Sequence, residues 1–273
     1  MRDFRGDYLA QLNKSSRILW RPEPTAPSSL SVPSDATLEP VLAVVLLAIQ
    51  GNHLLPCLPQ DMRQDCPTLM PLVRHCRFTA IDFESAGASR GRTDTPVQIG
   101  LAGWSVEQGH HEPFVSYLHT DAPIQWAARK VHGIGPEHLA GAPRLLTLWP
   151  TLKMRLAGAV VVAHGKGTEK RFLRAFPGHG FSPWIDTLLL ARATWPELPD
   201  HSLGALCEVH GLTPTVRQWV PEKSWHDALF DAVASLVVLA HLLESHNLVD
   251  LPVECLIAPD TSHWHQLRRI PVP

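Results

Sequence analysis

The sequence predicts an α/β fold: a mixed sheet of three antiparallel strands followed by parallel βα units, flanked by helices and preceded by a Pro-rich appendage. Three observations predict it. Strand-like stretches recur at hairpin spacing between residues 77 and 120. The β-branched run AVVVAHG at residues 159–165 follows a helical pattern, as a buried parallel strand does. A long apolar stripe of helical period closes the region over residues 228–246.

In order, RFTAIDFES, PVQIGLAGW and HEPFVSYLHT are expected to be adjacent antiparallel strands, the second and third joined by a turn at residues 107–110. PRLLTLWPTLKMRLAG places Leu145, Leu146, Leu148, Leu152 and Leu156 near helical spacing despite Pro150. Residues 169–176 read as a helix, 184–187 as a short strand, and 203–210 as a helix stopped by Gly211. In the last helix Leu229, Val233, Leu236, Val237, Ala240 and Leu243 share one face.

The chain of 273 residues is 45% hydrophobic and 18% charged, with a net charge of −2, which sets aside disordered, collagen-like and coiled-coil classes. It also argues against holding long duplex nucleic acid by overall charge, since each phosphate contact needs a cation, but a local site for a few nucleotides is compatible with it. The segment RPEPTAPSSLSVPSDATLEP reads as a linker, and the apolar run at 41–49 as a short packed helix, well below the roughly 20 residues of a membrane span. Residues 1–75 therefore form an N-terminal appendage of unassigned partner, 76–250 the main domain and 251–273 a Pro-rich tail. Five scattered cysteines without a CxxC pair suggest reduced thiols and a cytoplasmic location, with no membrane partner.

Asp82 and Glu84, two residues apart on a strand, leave the same face about 7 Å apart and could grip one divalent cation. Alone this D-x-E pair is a weak signal. It is joined, in order, by VVAHGKGTEKRFL, WIDTLLLAR and HDALFDA, and by KVHGIGPEHLAGAP and HSLGALCEVHGL between them. Together these segments resemble the DEDDh family of 3′–5′ exonucleases, which includes the proofreading subunit of bacterial replicative polymerase, oligoribonuclease and ribonuclease T. The resemblance covers roughly residues 77–246 and implies a ribonuclease H-like fold.

Carried over by motif, the resemblance implies that Asp82, Glu84, Glu169 and Asp231 hold two divalent cations, Mg²⁺ or Mn²⁺, and that His226 is the general base. It places Phe83, Ala86, Gly87 and His164 in the substrate-binding region, His164 as a packing residue at a strand end. Asp231 should then lie on the first turn of the last helix with His226 just ahead of it, because five residues within a helix would turn the two about 140° apart. The second motif departs from the family pattern: Glu169 stands at its Asp position, with Gly165 in place of Asn. Asp186 is read as a helix N-cap. Arg90, Arg92, Lys166, Lys170, Arg171 and Arg174 are candidates for phosphate contacts at the rim. The implied activity is removal of nucleotides from a single-stranded or frayed 3′ end of DNA. Two alternatives stand beside it: an exoribonuclease on short RNA, and a catalytically weakened nucleic-acid-binding or polymerase-docking module.

Overall fold

The computed structural model describes residues 70–88 and 93–257, all within a unit that begins at Pro67. The linker, the apolar run at 41–49, Arg90, Arg92 and the tail beyond residue 257 lie outside the described residues.

Five strands form one sheet in the order β3-β2-β1-β4-β5. β1 (Phe78–Ser85), β2 (Pro96–Ser105) and β3 (Gly109–Tyr117) are the antiparallel meander, and β4 (Val160–Ala163) and β5 (Trp184–Asp186) run parallel to β1. This is the mixed sheet the sequence predicts. The β2–β3 turn falls at residues 106–108, slightly earlier than expected, because Gly109 takes the left-handed φ of +67° and already begins β3.

The helices are α1 (Trp126–His132), α2 (Pro136–Leu139), α3 (Trp149–Leu156), α4 (Gly167–Leu173), α5 (Thr187–Thr194), α6 (Leu203–Val209), α7 (Thr213–Trp219), α8 (Ala228–Ser245) and α9 (Glu254–Ile257). The single helix expected over 145–156 divides. Leu145–Leu148 is a 3-10 turn and α3 starts at Trp149, which puts Pro150 in the first turn, where its missing N–H breaks no helical bond.

Strand alternation sorts the core into two layers. Phe78, Ala80, Ala102, Trp104, Val160, Val162 and Ile185 face α8, whereas Ile81, Phe83, Ile99, Leu101, Val161 and Ala163 face α3 and α4. By the same alternation Asp82 and Glu84 continue the row of Phe78 and Ala80 toward α8. α8 has the length and hydropathy of a membrane span, but most of it is buried here as the central helix of a core.

The packed body extends past both boundaries expected from composition. Leu72 bridges to Pro252, the Val73 N–H donates to the Leu251 carbonyl, and Val73, Val253, Cys255 and Leu256 are buried in the α8 layer. The apolar residues of these short flanks cover core, a role that Pro-rich surroundings hide from a periodicity reading.

Candidate active site

Four acidic side chains converge where β1 ends. Asp82 pairs across the sheet with Gly100, and Glu84 with Gln98, on the strand face that meets the first turn of α8. Asp231 lies in that first turn. Glu169 comes from the first turn of α4, directly after β4.

The approach of α8 is set by Gly100. A Cβ there would fall 2.2 Å from backbone atoms of Ala228 and 2.3 Å from the Leu229 nitrogen, so only glycine lets the helix start against the strand. Asp227 caps the helix by accepting from the Leu229 N–H at 3.0 Å. Its other oxygen accepts from Gln98 Nε2 at 3.0 Å and from Lys223 Nζ at 2.9 Å, while the Ala228 N–H donates to Gln98 Oε1 at 2.9 Å. Buried Gln98 thus ties β2 to the turn that carries His226. That turn is sharp: His226 has φ +68°, its N–H donates to Asp231 Oδ2 at 3.3 Å, and its side chain is exposed. Trp225 packs edge-on against Phe230 and anchors the turn from the other side.

Glu84, His226 and Asp231 can each present one ligand atom so that all three lie within 4.8 Å of one another. Burial is the first cause that holds the Asp82 carboxyl well above the usual range, followed by the charges of Asp231, Glu169 and Glu84. Burial, then Asp231 and Asp227, push Glu84 up to about 8. Glu169 and Asp231 are each pushed up to about 7, again first by burial. Such a cluster favours protons or cations over bare charge. Glu169 Oε2 and Asp231 Oδ1 are buried without a hydrogen-bond partner, as metal ligands are before a cation arrives. The donor set, all carboxylate with one imidazole, fits a hard divalent cation.

The remaining expected residues are distributed differently. Phe83 points to the opposite sheet face, 6% exposed and edge-on to Phe172, because strand alternation turns it away from Asp82 and Glu84. Ala86 is buried, with its N–H and carbonyl bonded to Thr95 and Gln125. Gly87 is the partly open one of the three. His164 has both ring nitrogens engaged, with Thr187 Oγ1 and the His201 carbonyl, each at 2.9 Å. Asp186 caps α5 and also accepts from the Gly165 and Lys166 N–H groups, which shapes the turn before Glu169. Among the cations, Arg171 pairs with Asp94 at 3.3 Å and Lys170 sits over the Trp184 ring.

The sequence motifs do not mark Gln98, Gly100 or Asp227 as site residues. Gln98 had a signal, since it is the one polar side chain within PVQIGLAGW before Trp104. His132 was also missed; it lines a cavity of about 190 Å³ with Gln98, Tyr117, Lys223 and His226.

The profile of the exonuclease family RNase_T matches residues 79–239, more than half of the chain. A DNA polymerase III subunit epsilon-like protein of Rhodobacter capsulatus is 32% identical over 173 residues, covering 61% of this chain and 23% of its own. A PolC-type DNA polymerase III of Streptococcus thermophilus is 27% identical over 189 residues, covering 66% and 12%. The chain therefore matches about a quarter and an eighth of these relatives. Among solved structures, exonuclease X in complex with 5′ overhanging duplex DNA has a TM-score of 0.52 at 22% identity, over 66% of this chain and 99% of that one. The nuclease domain of 3′hExo, a DEDDh family member bound to rAMP, has a TM-score of 0.50 at 14% identity, over 62% and 92%. At these identities the structural likeness is one of fold.

Proposed function

Because the chain belongs to the exonuclease family, we propose that it removes nucleotides from the 3′ end of single-stranded or frayed DNA by phosphodiester hydrolysis, with two Mg²⁺ or Mn²⁺ ions as cofactors. Asp82, Glu84, Glu169 and Asp231 would hold the ions. The observation that carries this reading is the convergence of those four carboxyls, two of them with buried oxygens that have no partner in the protein. When bound, the ions make a water nucleophilic at neutral pH and stabilise the leaving oxygen.

The chain's own groups do the rest. His226, held at the mouth by its left-handed turn and by the Asp231 bond, would take the proton of the attacking water, a task imidazole suits near neutral pH. One ligand atom each of Glu84, Asp231 and His226 lie within 4.8 Å of one another, so the imidazole stands beside the carboxyls that would hold the ions. Gly87 would lie along the terminal sugar through its backbone, which gives no base readout and makes trimming independent of sequence. The buried thiols of Cys76 and Cys207, which form no disulfide among the described residues, support a reducing, cytoplasmic setting.

The test is incubation of a 5′-labelled DNA strand with the protein and Mn²⁺ or Mg²⁺, beside an RNA strand of the same sequence. A ladder of shortened 5′ fragments is expected, faster on DNA, and lost at least about 100-fold in Asp82→Ala, as removal of a catalytic group typically costs that much. Binding without cleavage would replace this reading with a docking module, and cleavage of RNA alone would make the enzyme an exoribonuclease.

A further inference from the structure

Trp126 is 76% exposed, more than Met154 on α3 at 70%. Single exposed apolar side chains are ordinary, so exposure by itself carries nothing. Position and company set Trp126 apart. α1 is docked on the loop that follows Glu84: the Gln125 N–H donates to the Ala86 carbonyl at 2.7 Å, and His132 Nε2 lies 3.0 Å from the Ser85 carbonyl. Gly87, at φ +87°, leaves so little room that a Cβ would sit 3.1 Å from the Cβ atoms of Gln125 and Ala128. Residues 125, 128 and 132 thus face the loop, and 126, 127, 130 and 131 form the exposed outer face. On that face the Lys130 ammonium stands 5.3 Å above the Trp126 ring. α1 carries no acid; Arg129 is paired with Glu137, and among the described residues Lys130 forms no ion pair.

From these observations we propose that Trp126 and Lys130 form a stacking platform for an unpaired nucleobase of the strand whose 3′ end occupies the carboxylate site, an inference that rests on the nuclease reading above. The indole face away from Lys130 accepts any base, because every base has a π-face, and the ammonium over the opposite face complements a nearby phosphate. The loop of Ser85, Ala86 and Gly87 joins the platform to Glu84, so a strand leaving the site along that loop meets α1 next. The platform would hold single strand by affinity without touching the reacting atoms.

The experiment compares the full chain with Trp126→Ala, Trp126→Phe and Lys130→Gln on two substrates in Mn²⁺. One is a 5′-labelled oligothymidylate; the other is the p-nitrophenyl ester of thymidine 5′-monophosphate, which carries no base beyond the terminal nucleotide. Trp126→Ala should raise KM for the strand about tenfold, leave kcat within about twofold and leave ester hydrolysis unchanged, while Trp126→Phe recovers most of the loss. Lys130→Gln should flatten the salt dependence of KM. An unchanged KM for the strand, or an equal loss on the ester, would overturn the platform. If the parent chain hydrolyses neither substrate, the nuclease reading fails on its own, and the platform is judged by anisotropy of the labelled strand in Ca²⁺. Binding about tenfold weaker in Trp126→Ala then upholds it, and equal binding refutes it.

Discussion

Glu169 concentrates the question of whether the site works. Its position is the one place where the acidic pattern departs from the family, by a single methylene. An ordinary acid on the first turn of a helix is solvated and gains a little from the dipole. Glu169 instead is 4% exposed, has one oxygen without a partner and is pushed up to about 7 by burial. A buried carboxyl in that state is costly unless a cation or a proton meets it. Glu169→Asp should therefore keep or raise the rate of strand shortening, whereas Glu169→Gln should lower it by about 100-fold or more. Initial rates across a Mg²⁺ titration read this out; a Gln variant that follows the parent throughout would make Glu169 a structural acid. The identity of the residue was legible in the sequence from its motif. Its burial was not, because that depends on how α4 meets the end of β1.

At the level of elements, the geometry of the candidate site rests on the docking of α8 on β2. Gly100 permits the contact and Gln98 fastens it, with both ends of its amide used within the turn that carries His226. Gly100→Ala has no slack to exploit, since its Cβ would overlap backbone rather than a movable side chain. We expect a fall in melting temperature of several degrees, consistent with overpacking costs of about 1–3 kcal/mol, together with loss of nuclease activity. Gln98→Leu should leave the Ala228 N–H unsatisfied, a cost of about 1–3 kcal/mol, and lower kcat more than it raises KM; equal effects on both would mean that it does not act through His226. The order and type of the strands could be read from periodicity, and the placement of Asp231 and His226 from the family resemblance, with which their spacing agrees. The Gln98 clamp could not, because it joins residues some 130 positions apart and neither partner's local sequence demands the other. The helix break at Pro150 follows from a local rule, but the leucine spacing that runs across it masks it.

The molecule as a whole must balance the stability of its body against the strain of its site. Val73 is fully buried and tied to Leu251, so a chain beginning at residue 70 should stay folded, whereas one beginning at residue 77 should melt at a lower temperature or precipitate. The acidic site makes a second demand, which depends on pH. Burial first pushes Glu84 up to about 8 and Asp231 and Glu169 each up to about 7 in the folded chain, above the roughly 4 of an unfolded one, and it raises Asp82 as well. Over the interval between those values the folded chain binds more protons, so stability falls as pH rises. His110 is lowered to about 4 by burial, and His132, His164 and His210 are lowered too, which acts oppositely below the ordinary histidine value of about 6.5. The two effects compete below that pH, and from there to about pH 8, short of the range in which the raised Cys76 and Cys207 thiols and the lowered Lys170 act, the carboxyls dominate. Metal-free protein should therefore lose melting temperature steadily between about pH 6.5 and 8. Mn²⁺ replaces the missing protons, so its presence should abolish the decline and stabilise more at pH 8 than at pH 6.5. Glu84→Gln removes the highest of the resolved carboxyl values and should flatten the metal-free curve. A metal-free melting temperature that is level across this range would mean that the four carboxyls are not held together as charged neighbours in solution, and the site drawn from them would fall with it.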